Sequence, residues 1–468
     1  MGIPIDRELA GDINNPSKEV IKYGIDVHQK QLGRLQNLSD YYDGKHEIMD
    51  RKRKKDDTAN NKVMVNNAKY VTDMNVGFLV GNPIAYSASE GKDIGTIVDV
   101  FEEMDIVSHD TELEKDLSVF GEGSELLYLR KVPGTTDKTE PRIKAIDPRG
   151  IFSITDDTVE KEPLFSVHYY KKYDLTGSVT GWLLNVYTPK RVITYKTKDL
   201  SLSELTLVKS TEHYFGGVPV IEYRNNEEKQ GDFEQAMSLI DAYNVLQSDR
   251  IVDKEAFIDA LLIVYGFEIE GKIEDGMING APGKGEDGAS VEWLTKTFDE
   301  SQIQLLAKSI EDDIHKVTYV PNMNDEKFAG NISGEAMKYK LFGLLQLMSI
   351  KSRYMTKGLR VRLQLMANVL NVKGANIDVT GAKIKIKPNL PINTSDIIEM
   401  ISKAIDFLPL ETLLSWLPDI DDPEGEIKKL IEQKKQNIEL ANKMGGTGAS
   451  HDNLDDAPEE DEDEVSED

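Results

Sequence analysis

Cysteine is absent from all 468 residues, which excludes disulfides, thiolate nucleophiles and cysteine–zinc sites. Long apolar runs are absent as well. No segment reaches the roughly 20 residues a membrane-spanning helix needs, so no membrane partner is expected. Residues 1–20 lack the apolar core of a secretory signal, so the expectation is an intracellular protein, not one exported by a standard signal. Positive charge is scarce: 56 Lys and Arg stand against 83 Asp and Glu, for a formal net charge of −27. Eleven of those acids and no base lie between Asp452 and Asp468, so the rest of the chain still carries −16. A protein that grips nucleic acid over a broad surface is basic. Any contact of this chain with DNA or RNA is therefore local or deliberately weak.

Catalytic signatures are missing too. Gly280-Ala281-Pro282-Gly283-Lys284-Gly285 superficially resembles a phosphate loop. No glycine stands five positions before Gly283, however, and Gly285 replaces the hydroxyl residue that would hold magnesium; a flexible loop is the better reading. Pro418-Asp419 with Glu426-Ile427-Lys428 carries the residue types of a metal-dependent nuclease. Pro423 between them marks a helix start, and capping explains the acids. The seven histidines (His28, His46, His109, His168, His213, His315, His451) show neither metal-ligand spacing nor a triad element, and are expected at the surface or half-buried. No catalytic residue, metal or cofactor is expected, and nothing argues for an enzyme.

What is present is a helix-rich α+β chain long enough for two to four domains. Residues 1–60 read as polar helices broken at Tyr41-Tyr42-Asp43-Gly44. The basic run Arg51-Lys52-Arg53-Lys54-Lys55 is balanced by Asp56 and Asp57 and reads as a solvated loop. Asn66 to Val80 is a helix stopped by Gly81-Asn82-Pro83, and Gly95 to Gly121 is a further helical stretch. Strands follow at Glu125–Arg130, Arg142–Ile146, Ile151–Thr155, Phe165–Tyr170, Trp182–Tyr187 and Val192–Lys196, separated by turn signals. They form a mainly antiparallel domain that closes on Gly216–Ile221.

Residues 232–371 organise the rest. A helix is expected to open at Asp232, with Gln235 completing a capping box. A second opens at Asp299 and carries Ile303, Leu306, Ile310, Ile314 and Val317 on one face. Between them, Leu261–Tyr265, the glycine-rich 271–288 and Val291–Leu294 form a small β-rich lobe. Tyr319-Val320-Pro321 ends the second helix. After a polar gap, Ser333 caps a helix running to Asn371, about 55 Å long at 1.5 Å per residue. Ile384–Lys387 alternates as an exposed strand, and helices follow from Thr394, Leu410 and Pro423. The small, acidic 446–468 is expected to be disordered.

Charge divides this region. Residues 334–371 hold seven bases (Lys338, Lys340, Lys351, Arg353, Lys357, Arg360, Arg362) against Glu335 alone. The second hairpin helix instead crowds Glu311, Asp312 and Asp313 into its C-terminal half, where the helix dipole disfavours them. That leaves two readings: an acidic wall to which a polyanion does not stick, or an ordinary solvated face.

The residues, taken in order, resemble the portal proteins of tailed bacteriophages, in the branch found in long-tailed phages of Gram-positive hosts. The resemblance is carried by Asn66-Asn67 and Phe78–Ile84, by Ile146-Asp147-Pro148, by Gly217–Glu222 with Asn225-Asn226, and by Leu239–Asn244 with Ser248-Asp249. Asn331–Ala336, Glu411-Thr412 and Leu417 through Glu426 extend it, so that it covers about 60–432. It implies a homo-oligomeric ring, dodecameric in the virion, at one capsid vertex, through whose axis double-stranded DNA enters and leaves. It assigns 1–231 to a wing, 232–258 and 298–320 to two stem helices, 259–297 to a clip and 394–445 to a crown. It gives 321–393 a tunnel loop, the long helix and a returning wing strand. In the loop Lys327 is the candidate phosphate contact, Asn324, Asp325 and Asn331 are the candidates for the loop's shape, Phe328 packs the loop against its neighbour, and Glu326 completes the tunnel-loop set. It implies as partners the terminase large subunit, major capsid and scaffolding proteins and a head-completion adaptor, and as location the virion, with assembly in the host cytoplasm. A packaging motor or nuclease and another structural head protein stay open as alternatives. Removal of 446–468 is expected to leave the thermal unfolding midpoint unchanged in differential scanning fluorimetry; a large drop would make that tail structural.

Overall fold

The computed structural model describes residues 2–52, 60–135, 138–258, 261–265, 277–280, 290–294, 300–323, 334–390, 394–417, 420 and 423–445. Two units follow each other along the chain, 1–390 and 391–468.

In the first unit β1 (Ile3–Ile5) and α1 (Arg7–Ala10) precede α2 (Lys18–Gln29) and α3 (Leu32–Tyr42). Helix α4 (Asn67–Val80) starts where the Asn66 side chain accepts the Lys69 N–H at 2.9 Å, an N-cap bond. After β2 (Ala85–Ser87) the expected helical stretch is made of two helices, α5 (Gly95–Glu103) and α6 (Ile106–Phe120). The break falls at Asp105, which takes a left-handed φ of 54° and caps Ser108. Then come β3 (Glu122–Lys131), β4 (Thr139–Ile146), β5 (Ile151–Asp156), β6 (Pro163–Tyr173), β7 (Val179–Tyr187), β8 (Arg191–Thr197), β9 (Thr206–Glu212) and β10 (Val220–Arg224). All six expected strands are present. Strands β1 and β9 were not legible: β1 has three residues, and every residue of β9 is exposed, so burial imposes no alternation on it.

These strands make two sheets. One has the order β1-β5-β6-β7-β8-β9, antiparallel except for the β1–β5 pair; the other is β10-β3-β4. Helix α2 lies on β5, where a Cβ on Gly24 would meet the Phe152 ring at 2.3 Å. The larger core gathers α3 to α6, β3, β10 and the long helix of the 340–372 region around Leu113, Leu117, Leu359 and Met366.

The hairpin region departs from its sequence reading in two places. Asp232 is no N-cap. A short 3-10 turn, Glu234–Ala236, precedes α7 (Met237–Ile258), and Glu234, not Asp232, accepts the Gly231 N–H at 3.0 Å. Between α7 and α8 (Glu300–Thr318) stands a three-stranded sheet of β11 (Leu261–Tyr265), β12 (Met277–Gly280) and β13 (Ser290–Leu294). Strand β11 is central, parallel to β12 and antiparallel to β13. On α8, Ile314 is buried but Leu306 is 52% exposed, so the expected apolar face is only half covered within one chain. The long helix is also divided: α9 (Gly334–Lys340) gives way at Leu341 to α10 (Phe342–Val372). Strand β14 (Lys383–Lys385) then pairs antiparallel with β2. The second unit contributes α11 (Thr394–Ala404), α12 (Leu410–Leu414) and α13 (Pro423–Gly445). The phosphate-loop look-alike at 281–285 and the tail 446–468 lie outside the described residues.

Four of the histidines are buried, against expectation: His28, His46, His109 and His213. Each has a structural partner. His28, for example, bonds the Tyr169 hydroxyl at 2.7 Å and the Pro148 carbonyl at 2.9 Å.

Helix α10 approaches β10 closely at Gly358, where an added Cβ would sit 2.2 Å from the Tyr223 ring. Both neighbours are buried, so neither gives way cheaply. Gly358→Ala is expected to cost about 1–3 kcal/mol as overpacking, read as a lower urea midpoint at unchanged slope; an unchanged midpoint would mean the contact is loose.

Candidate functional site

One face of α10 is a seam of buried residues: Leu344, Met348, Lys351, Met355, Leu359, Arg362, Met366 and Leu370. Steps of three and four make this an amphipathic stripe, yet two of its members are cations. Arg362 is fully buried. Its Nε lies 3.0 and 3.1 Å from the two oxygens of Glu125 on β3, and its Nη2 donates to Glu125 Oε2 at 2.6 Å. Its Nη1 donates to Asp110 on α6 at 2.7 Å and to the Tyr86 hydroxyl on β2 at 3.2 Å. Glu125 also accepts the Tyr223 hydroxyl at 2.7 Å and faces His109 Nε2 at 2.9 Å. One guanidinium thus ties α10 to α6, β2, β3 and, through Glu125, β10. Burial pushes the Glu125 carboxyl up, but Arg362 and His109 together outweigh it and hold it at about 2.

Three turns earlier, Lys351 Nζ sits 2.6 Å from Glu114 on α6 and 2.6 Å from Asp232. Asp232 accepts the Asn225 side-chain amide at 2.7 Å, and its own N–H donates to the Ser118 carbonyl at 2.8 Å. The root of the hairpin is therefore bolted to α6 and α10. Arg34 on α3 adds a second bolt, with bonds of 2.7 and 2.6 Å to Glu234 and 2.8 Å to the Lys229 carbonyl. Two carboxylates compete for the single Lys351 charge. Asp232 has other donors, whereas neither Glu114 oxygen completes a well-directed hydrogen bond among the described residues. Burial accordingly pushes Glu114 up to about 7 against the pull of Lys351, and Lys351 stays charged beside Asp232.

Further along, α7 adds polar contacts to the packing of Ile240 in the main core. Asp241 accepts the Tyr41 hydroxyl at 2.6 Å, Asn244 Oδ1 the Val65 N–H at 2.9 Å, and Ser248 Oγ the Val63 N–H at 2.9 Å. Arg51, from the basic run, pairs with Asp249; residues 53–59 lie outside the described residues. The two hairpin helices are joined by Arg250 and Lys254, which both reach Glu300.

The sequence-derived site residues fare differently. Asn324, Asp325, Glu326, Lys327, Phe328 and Asn331 lie outside the described residues. Glu311 is half-buried and accepts the Asn322 amide at 2.9 Å, while Asp312 and Asp313 are exposed. Lys338, Lys340 and Arg353 are exposed. Lys351, counted among the bases of the long helix, is buried and pairs with Glu114 and Asp232. Sequence reasoning also missed Arg362, Glu125 and Asp110 as a unit. The available signal was a charge at an apolar position, Arg362 between Leu359 and Met366, and Glu125 directly before Leu126-Leu127. Among the described residues no group of three or more His, Asp and Glu side chains is placed to hold a metal ion, and no helix is long and apolar enough to cross a membrane.

The arrangement is an α+β body with an anchored helical hairpin, organised by buried ion pairs. Comparison with known proteins gives this architecture its class. Residues 21–440 match the family model described as phage portal protein, SPP1 Gp6-like. The chain belongs to that family of phage portal proteins. It is 23% identical over 492 aligned positions to the portal protein of Bacillus phage SPP1, covering 96% of this chain and 93% of that one. It is 21% identical over 304 positions to the portal protein of Clostridium phage phiCD119, covering 62% of this chain and 66% of that one. Among solved structures, a chain from the neck of a native GTA particle computed with C12 symmetry aligns with a TM-score of 0.36 and 12% identity, over 75% of this chain and 88% of that one.

Glu114 sets a pH dependence. Its carboxyl titrates near 7 in the folded state and near 4.5 unfolded, so the native state binds the extra proton between those values. Its contribution is full below pH 4.5 and is lost as pH rises through 7. Stability is expected to fall by about 1–3 kcal/mol between pH 5 and 8, and Glu114→Gln to remove most of that slope in urea titrations at both pH values. An unchanged slope would place the titration elsewhere.

Proposed function

We propose that copies of this chain assemble head to tail into a closed ring at one vertex of the capsid, and that double-stranded DNA is packaged and ejected through its axis. The single observation that carries this reading is the hairpin of α7, the β11–β13 lobe and α8, rooted in the body by the Lys351–Asp232 contact. An anchored helical hairpin with an insert is a part suited to repetition around an axis, and its half-covered α8 face leaves Leu305 and Leu306 for a neighbouring copy.

Within this reading, 1–231 forms the wing, 232–258 and 298–320 the stem, 259–297 the clip, 394–445 the crown, and 446–468 a solvated tail. Residues 321–393 supply the tunnel loop, the long helix and a returning strand. Lys327 contacts phosphate in the channel, Asn324, Asp325 and Asn331 shape the tunnel loop that also holds Glu326, and Phe328 packs it against its neighbour. Asp312 and Asp313 present an acidic wall from which a passing duplex is repelled. Each neutralised phosphate adds affinity and hence friction, so a mostly acidic channel with isolated bases suits sliding. The ring is a docking platform for the terminase large subunit, capsid and scaffolding proteins and a head-completion adaptor, and its role is mechanical, not catalytic.

Negative-stain averaging of the purified protein is expected to give closed rings with a central hole. Monomers or open filaments at high protein concentration would overturn the ring. Within assembled rings, Lys327→Ala is expected to preserve the ring and lower the DNA content of particles; unchanged DNA content would remove Lys327 from the channel.

A further inference from the structure

From residue 342 to residue 390 the chain carries nine bases and one acid, Asp378, although the whole protein is at −27. Lys351 and Arg362 are consumed internally, and the Lys373 amine meets the Thr139 carbonyl. Six remain: Arg353, Lys357, Arg360, Lys383, Lys385 and Lys387, all exposed. The first three recur at steps of four and three, so they lie on one face of α10, opposite the buried seam. Lys383 and Lys385 alternate with the inward Ile384 on β14. Arg360 and Lys383 line the same open concavity with Gln364, so the helix and strand sets form one surface. Among the described residues none of the six has an acidic partner within ion-pair distance. Asp378 does not serve them, because it pairs with Lys92 at 2.7 Å.

We propose that this α10–β14 face is a second contact for double-stranded DNA, binding phosphates without reading bases. Clustered cations with no internal counter-charge gather counterions that a polyanion displaces, and that release drives binding. A seam between copies is the other occupant the charge allows. The surroundings argue against it. Along 349–364 of α10 only Ile350 and Val361 are exposed apolar side chains, whereas subunit interfaces bury an apolar centre. A phosphate face needs none. Arg353 to Arg360 lies roughly 17–27 Å along the axis from the start of α10, and none of the six bases belongs to the tunnel loop. This inference deepens the channel reading and rests on it for the ligand being the packaged duplex.

The test uses full-length protein, a short labelled duplex of arbitrary sequence, and fluorescence anisotropy between about 50 and 200 mM NaCl. Six phosphate contacts predict a loss of affinity of about 10³-fold across that range. Lys383→Gln/Lys385→Gln/Lys387→Gln is expected to cut the loss to about 40-fold and the log–log slope by about 3. Arg353→Gln/Lys357→Gln/Arg360→Gln is expected to do the same, and Lys327→Ala to change the slope by no more than about 1. Equal slopes for wild type and both triple variants would overturn the proposal. So would loss of rings in the triple variants alone, read by mass photometry, since that makes the face a seam. If wild-type protein itself forms no ring, the channel reading fails while the anisotropy still reports on the patch.

Discussion

A guanidinium with no access to water sits at the centre of this protein. Moving Arg362 from water into the core costs several kcal/mol. The structure offsets that cost only by surrounding the cation with Glu125, Asp110 and Tyr86 at 2.6 to 3.2 Å. Because such a pair is close to break-even against a well-packed apolar core, its value lies less in net stability than in what it forbids. Any register of α10 that slid by one residue would leave Arg362 among leucines and take the guanidinium from Glu125 and Asp110, a penalty of about 3–5 kcal/mol. Four separate elements are thereby fixed in mutual position by one side chain.

Lys351 extends the same logic to the hairpin. Its partner Asp232 lies at the point where the chain leaves the sheets and enters α7, so the orientation of that helix is set from the body outward. Beyond the root, α7 is held by Asp241, Asn244 and Ser248 against the N-terminal segment. Directional bonds of this kind define one geometry, whereas an apolar stripe tolerates sliding. A hairpin that must keep its place while a long polymer moves past it benefits from that difference. The protonated state of Glu114 belongs to this arrangement: with Asp232 claiming the lysine charge, a second full negative charge at the same spot has nothing to balance it.

The sequence made the strands legible because β3 to β8 are short runs rich in β-branched and aromatic residues with turn residues between them, even where, as in β5, every position is buried. It made the hairpin legible because two helical patterns flank a glycine-rich stretch. The missed features share a cause. Lys351 and Arg362 are spaced with Met355, Leu359 and Met366, so the positional signal for burial was present. Residue type argued the other way, because lysine and arginine are almost never buried unless paired. The pairing partners are 119 to 252 positions away, and no local pattern reports contacts at that range. The same applies to Asp232, which looked like a cap because caps are local. The break at Leu341 was hidden because no proline marks it, and Gly343 beside it lies within the helical pattern of α10.

Division of the bases of α10 between two faces bears on how an acidic protein handles a polyanion. Residues 342–372 contain no acid, so any cation left outside the seam has no neighbour on its own helix to neutralise it. Those turned inward are cancelled by acids from α6 and β3. Those turned outward, Arg353, Lys357 and Arg360, are not cancelled by anything described, and β14 adds lysines at the same place. Were these bases needed only for folding, the exposed ones would serve as well as glutamine does at position 364. In the channel proposed above, the basic patch of α10 and β14 and the exposed Asp312 and Asp313 of α8 divide holding a duplex from letting it pass. Attraction and repulsion act over about 8–10 Å at physiological salt, a range shorter than α10 itself, so one subunit has room for both.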